Sequence, residues 1–357
     1  MKKFIAKVRG KKHPQEPAGR ITNDTLAEHR EKVLAGGRKF KYPVQYQRHK
    51  LVINAVIIGV TALVILISVG WYLLYKAQNT SEFMYRVTKV VPVPVAMVDG
   101  EPVRYSDYLM QYRSQVHYLT EKEQIDTNSE DGKRQLEYVK TQSMNEAIAD
   151  AYASKIAREQ NIEVTNAELE TFLKQQRQAS DGEVSEATYN SVIRDYYGWS
   201  PEEYRDAMKH KLLRQKVGFA VDTKATELSD TLKQTITAEN SDLQKIATDI
   251  NATADPKVQY TPPTAVPLSN RDGGLALAAA KLSPGQVSNT VTTTSGAGYY
   301  YVKLIDKNDT QLRYEYIFVP LSEFSAKLQQ LRKDNKISEY ISVEEASTTQ
   351  PTPTQQP

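Results

Sequence analysis

The longest apolar run in the chain, Leu51 to Tyr75, carries no Lys, Arg, His, Asp or Glu over 25 residues. At about 1.5 Å rise per residue it makes a helix of roughly 37 Å, enough to cross the hydrocarbon core of a bilayer with some tilt. Beyond it the apolar positions become periodic. Met144, Ile148, Tyr152 and Ile156 recur every four residues, with Ala147 and Ala151 beside them, and predict one face of a helix. Thr165-Asn-Ala-Glu168 forms a capping box ahead of Leu169, Phe172 and Leu173. Tyr189, Val192, Ile193, Tyr196 and Tyr197 make another helical face, ended by Gly198. Ser200-Pro-Glu-Glu203 places an N-cap, a proline at the first helical position and a glutamate at the third before Tyr204, Met208, Leu212 and Leu213. The pattern predicts a helical domain ending near Asp222. It opens with a short strand, Val95 to Val98, the turn Asp99-Gly100 and an extended piece, Glu101 to Val103; Ser106 and Asp107 can cap the helix that follows.

After 222 the pattern changes. Helices are predicted at Thr226 to Thr235 and Ser241 to Asn251, then a proline-rich loop from Pro256 to Pro267. An alanine-rich helix from Leu275 to Leu282, a threonine-rich extended segment and the strand Gly298 to Leu304 complete a small α+β unit. Tyr314 to Val319 alternates as a strand, and Phe324, Leu328, Leu331, Tyr340 and Ile341 mark a last helix. Pro92 and Pro94 break any helix continuing from the apolar run, which leaves 76–91 as a spacer. The first fifty residues are mostly loop-like (Gly10, Pro14, Pro17, Gly19). They hold one helix signal, Thr25-Leu-Ala-Glu28, with a stop at Gly36-Gly37. The Thr-, Gln- and Pro-rich end is expected to be disordered.

Charge orients this layout. Residues 1–50 hold 14 Lys and Arg against 4 Asp and Glu, a net of +10, whereas the whole chain is +3, so residues 76–357 carry −7. The excess of basic residues on one flank predicts an N-terminus in the cytoplasm and a long extracytoplasmic part, held by an uncleaved signal anchor. A cleaved signal peptide fits poorly: the run is too long, begins after fifty residues and lacks a small-residue cleavage pattern. Asn54, Thr61 and Ser68 recur every seven residues along the span and are candidates for weak self-association.

Several chemistries are excluded. The chain has no cysteine, which removes disulfides, thiol nucleophiles and cysteine-ligated metal. His117 and His210 stand at unrelated positions and define no metal site, and Ser283 and Ser288 have no histidine partner. No phosphate-binding glycine loop is present, and the basic arm follows topology rather than marking a nucleic-acid partner. No cofactor is expected.

The segment Val95-Ala-Met-Val-Asp-Gly-Glu-Pro-Val-Arg-Tyr-Ser-Asp-Tyr108 resembles the opening of the SurA/PrsA/PpiD group of bacterial extracytoplasmic folding factors. The resemblance continues through Ile156 to Leu169 and through Tyr197-Gly-Trp-Ser-Pro-Glu-Glu-Tyr-Arg205, covering about 92–222. Ala279 to Leu282, Pro284 to Ser288 and Tyr299 to Leu304 are similar to the second half of a parvulin-type prolyl isomerase domain. The departures are specific. Parvulins carry two histidines; this chain has none after His210, and the Gly-Tyr-His position is Gly298-Tyr299-Tyr300. The Gly-Gly-x-Leu-Gly stretch is reduced to Gly273-Gly-Leu275.

The pattern, charge and resemblance together imply a mostly helical α+β protein: basic arm 1–50, transmembrane helix 51–75, spacer 76–91, SurA-like helical domain 92–222, inserted parvulin-like domain 223–308, a return strand and helix over 309–345 completing the helical domain, and a tail 346–357. It implies a membrane-anchored chaperone that binds unfolded or newly translocated chains without ATP, with a weak or inactive isomerase domain. Two alternatives stay open: an active prolyl isomerase with a site rearranged around Leu277, Leu282, Val291 and Tyr300, and an envelope scaffold docking one folded partner. Eleven of the 22 tyrosines fall between Tyr85 and Tyr204. Tyr105, Tyr108 and Tyr112 share a helix face and are candidates to hold client segments, against the simpler reading that they line the core.

Overall fold

The computed structural model describes residues 22–41, 43–179, 182–237, 241–255 and 257–343. The expectations for the start of the arm and for the Thr-, Gln- and Pro-rich tail lie outside these residues. The chain divides into two compact units at Leu73/Leu74.

In the first unit, α1 (Asn23–Lys41) opens where Thr22 and Thr25 bond reciprocally. It starts two residues before the predicted box and runs through Gly36-Gly37, both helical, so the expected stop there is corrected. Glycine weakens a helix by about 1 kcal/mol but ends it only when the backbone turns left-handed. α2 (Pro43–Trp71) passes into a π-helical turn, Tyr72–Lys76. Among the described residues one helix, His49–Lys76, is long and apolar enough to cross a membrane.

The second unit begins with α3 (Glu82–Val90), N-capped by Ser81. This corrects the expectation of a bare spacer, because Met84, Tyr85 and Thr88 are buried against the rest of the unit. Next come β1 (Pro94–Val98) and β2 (Glu101–Arg104), joined by a turn in which Asp99 and Gly100 both have positive φ. Lys155 clamps that turn by donating to the Asp99 backbone oxygen (2.8 Å) and pairing with its carboxylate. α4 (Tyr105–Glu121), α5 (Glu130–Gln160) and α6 (Asn166–Arg177) follow, then a two-residue pair, β3 (Gln178–Ala179) with β4 (Gly182–Glu183). α7 (Glu186–Tyr197) and α8 (Pro201–Val221) complete the helical part. The signals at Thr165 with Glu168 and at Ser200 with Glu203 both form capping boxes. The core is built on Val95, Leu109, Met144, Ile148 and Val217, where α4, α5 and α8 meet the β1–β2 hairpin.

A carboxylate lies buried in that core. Asp150 on α5 has Arg214 Nη1 3.2 Å from its Oδ1, and the same guanidinium nitrogen lies 2.6 Å from Glu146. Burial, opposed in part by Arg214 and His210, pushes the Asp150 carboxyl up to about 6 from 3.8. The folded protein therefore holds a proton there that the unfolded chain releases, and stability falls as pH rises from about 4 to about 6. Asp150→Asn is expected to flatten this slope. Urea midpoints at pH 4 and pH 7 check it; an unchanged slope rejects the assignment.

The small domain comprises α9 (Thr223–Thr235), α10 (Leu243–Asn251), β5 (Gln259–Pro267), α11 (Leu275–Ala280), β6 (Val291–Thr292), β7 (Gly298–Lys307) and β8 (Gln311–Pro320). Its antiparallel sheet runs in the order β5-β8-β7-β6. Two expectations are corrected here. The proline-rich segment is a strand along most of its length, with a register shift at Pro262-Pro263. Proline is tolerated because β5 is an edge strand and the two prolines sit at the irregularity. The strand assigned to the 309–345 return is instead the inner strand β8, paired with both β5 and β7. The small domain thus reaches Pro320, past the predicted limit of 308. The return is made by α12 (Glu323–Lys333), shorter than predicted, and β9 (Ile337–Glu339), which pairs with β1.

Alternation along β7 and β8 divides two cores. Tyr301, Ile317 and Val319 face Ala225, Leu232, Leu243 and Ile246 of α9 and α10. Val302, Leu304, Leu312 and Tyr314 pack with Leu275, Ala276 and Ala279 of α11 on the opposite side.

Candidate client-binding surface

Three of the tyrosines proposed to touch clients are inside the fold. Tyr105, Tyr108 and Tyr112 on α4 are 0%, 1% and 7% exposed. Tyr105 meets Tyr75 edge-on at 6.1 Å and Tyr108 at 5.8 Å, and Tyr108 stacks on Tyr112 at 5.9 Å. The Tyr105 hydroxyl donates to the Leu74 carbonyl (2.8 Å). Burial raises the hydroxyl pKa of all three, which keeps them neutral donors. They line the core, and their assignment to a client-facing surface is corrected accordingly.

The tyrosines that do face solvent lie at the far end of α4 and on α7. Tyr118, Val192, Tyr196 and Tyr197 are 37–44% exposed. Tyr118 and Tyr196 have ring centres 6.3 Å apart, and Tyr197 stacks on Trp199 at 5.2 Å. Lys122 sits 5.0 Å above the Tyr196 ring and pairs with Asp195 at 2.6 Å, holding that side of the cluster in place. Gly198, in the left-handed conformation, ends α7; a Cβ there meets the His117 ring at 3.1 Å, so the turn closes directly onto α4. The sequence shows Val192, Tyr196 and Tyr197 on one helical face. It did not show that Tyr118, some seventy residues earlier, joins them.

Tyr197 also borders a recess of about 340 Å³ walled by Arg113, His117, Trp199 and Glu203. A larger crevice, about 770 Å³, opens beside Lys89, Asp107, Arg158, Asp206 and His210. Tyr85 and Met110 line both. The aromatic cluster supplies flat apolar area, and the mixed charges of the crevices supply partners for peptide groups. Such a surface suits extended polypeptide of varied sequence.

In the small domain Tyr300 is 9% exposed and stacks on Phe318 at 4.6 Å, with Tyr316 edge-on at 5.7 Å. Its hydroxyl meets the hydroxyls of Thr293 and Ser295, and burial raises its pKa. Leu282 is 8% exposed in the same cluster, and Val291, opposite Tyr300 in the sheet, is half-buried against it. Leu277 is half-buried on α11 and is not among the residues packed into that cluster. The structure thus brings Leu282, Val291 and Tyr300 together on one side of the sheet. Asp272 is engaged structurally: it accepts from the backbone amides of Gly274 and Ala276, from Asn270 and from the Tyr314 hydroxyl.

With this geometry in place the class is defined. Residues 45–218 match the family model of the SurA-like N-terminal domain, which takes in the apolar helix and the helical part through most of α8. The chain therefore carries a SurA-like N-terminal domain over those residues. No curated protein matches the chain.

Proposed function

We propose that this protein is a membrane-anchored extracytoplasmic chaperone that holds unfolded or newly exported segments without ATP. The observation that carries the reading is the solvent-facing aromatic cluster Tyr118, Val192, Tyr196 and Tyr197 on a SurA-like domain. Exposed rings bury area on a client at small entropy cost, and release needs only dilution of the contact. The helix His49–Lys76 crosses the membrane with the basic arm in the cytoplasm, as the flanking charge favours. Asn54, Thr61 and Ser68 allow weak pairing of spans.

The small domain serves as a second client surface with weak or no isomerase activity. Tyr300, at the position of a parvulin histidine, has its ring packed on Phe318 and its hydroxyl engaged with Thr293 and Ser295. Leu282 and Val291 flank it.

The test is suppression of client aggregation by the full-length protein in nanodiscs. Tyr196→Ser with Tyr197→Ser is expected to weaken client binding by roughly tenfold or more, the loss typical of central aromatic contacts, while leaving thermal unfolding unchanged. Retained binding with normal folding removes the cluster from the site. Unchanged prolyl-peptide isomerisation on Tyr300→Phe is expected; a rate that the wild type accelerates and this variant abolishes favours the isomerase reading instead.

A further inference from the structure

α3 has two faces. Met84, Tyr85 and Thr88 point into the domain, whereas Phe83 and Val90 are 67% and 82% exposed. With half-buried Val87 they occupy positions i, i+4 and i+7, one continuous apolar stripe, and exposed Val91 follows just past the helix end. Arg86 and Lys89, both exposed, lie on the face beside it. Soluble domains seldom leave so regular a stripe uncovered.

The position of α3 in the chain points to what covers it. Its N-terminal end follows the apolar helix after only the five residues 77–81. Its C-terminal end leads directly to Pro94, whose carbonyl accepts from the Tyr75 hydroxyl at 2.6 Å. Leu74 is 5% exposed, and its carbonyl is held by Tyr105. Both ends of α3 are therefore tied to the last turn of the apolar helix. Val90 stands four residues from Pro94, within about 14 Å of that anchor even if the chain is fully extended. Trp71, Tyr72 and Tyr75 lie in that same terminal stretch of the apolar helix. Aromatic residues at the end of a span sit at headgroup depth.

We propose that α3 lies in the outer interface of the membrane, with Phe83, Val87, Val90 and Val91 among the upper acyl chains and Arg86 and Lys89 toward anionic headgroups. The proposal rests on the reading that His49–Lys76 spans the bilayer. An interfacial helix with an apolar stripe and basic flank binds by this combination of buried area and charge. The consequence is mechanical. Span and interfacial helix together give the second unit two attachments to the bilayer.

The absence of cysteine permits single labels in the full-length protein. Phe83→Cys and Val90→Cys, each carrying an environment-sensitive fluorophore, are compared with Lys133→Cys on α5 in vesicles with and without anionic lipid. Brominated lipid reports on Trp71 in the same samples when they carry Trp199→Phe, which leaves Trp71 as the sole tryptophan. The expected result is a blue shift and loss of quenching by a water-soluble quencher at 83 and 90 but not at 133, stronger with anionic lipid. Trp71 should be quenched by brominated lipid throughout. Labels at 83 and 90 that stay water-exposed while Trp71 is quenched overturn the interfacial helix alone. Absence of Trp71 quenching overturns the span and this proposal with it. A shift that grows with protein density in the vesicle assigns the stripe to a second copy, and one that appears only with added client assigns it to client binding; either overturns the membrane as its occupant.

Discussion

Ending the chain after residue 308 is expected to unfold the small domain completely. β8 lies beyond that point and is the strand between β5 and β7, with register contacts from Gln259↔Phe318 to Pro267↔Gln311 on one edge and from Gly298↔Pro320 to Lys307↔Leu312 on the other. Removing it separates the remaining strands into an isolated β5 and a β6–β7 pair, neither stable alone. It also empties both cores. Leu312, Tyr314, Ile317 and Val319 are 5% exposed or less, and each contributes about 1.5–3 kcal/mol of burial, together comparable to the net stability of a whole domain. The same truncation removes β9 from β1, so the helical part is expected to persist with lower stability. Limited proteolysis of the two proteins in identical detergent reads the result. A protease-resistant fragment covering 223–308 in the shortened chain would contradict the observed topology.

Asp222→Ala is expected to cost on the order of 3 kcal/mol, at the upper end of what a single substitution usually removes. Asp222 is wholly buried where α8 ends, and its two oxygens serve two helices. Oδ1 accepts from the Ala225 amide at 2.9 Å and caps α9. Oδ2 accepts from the amides of Ser322 (2.6 Å) and Glu323 (3.0 Å) at the start of α12, a hundred residues later. Alanine leaves these three buried or half-buried amides without an acceptor. Asparagine supplies one carbonyl oxygen and is expected to lose about half as much. Because this residue joins α8, α9 and α12, its loss should also loosen the small domain from the helical part. Hydrogen exchange would then rise together at Ala225 and at Ser322–Glu323; exchange rising at one of them alone would show that the junction is not a unit.

Local signals in the sequence carried much of the fold. The capping boxes at Thr165 and Ser200, the Asp99-Gly100 turn and the left-handed Gly198 all form where their residue types require, because each bond spans three or four positions. The misplaced elements share one cause. Pro256 to Pro267 looked like a loop because proline lacks a donor; an edge position beside β8 makes that deficit harmless. The segment 76–91 reads as a spacer because the nine residues of α3, set between the apolar helix and two prolines, are too few for an apolar period to stand out. Its buried face becomes visible only when Met84, Tyr85 and Thr88 pack into the unit, with Tyr85 between two crevices.

The candidate site was less legible. Clustering of tyrosines was visible, but Tyr105, Tyr108 and Tyr112 on one helix face and Val192, Tyr196 and Tyr197 on another have the same amphipathic character. Amphipathic spacing shows that a face is apolar and leaves open whether another element covers it. α4 is covered along its first three turns by α3, α5 and the end of the apolar helix. The outer side of α7 has no such cover at Tyr196 and Tyr197.

The sequence by itself determined the uncharged run, the +10 arm against the −7 remainder, the capped helices and the absence of histidine from the small domain. These depend on composition or on neighbours within a helical turn. The tertiary structure alone decided that β8 belongs to the small domain, that Asp222 caps two distant helices, and which tyrosines face solvent. Those outcomes depend on contacts between residues fifty to a hundred positions apart, formed when buried area and hydrogen bonds outweigh the entropy of closing long loops.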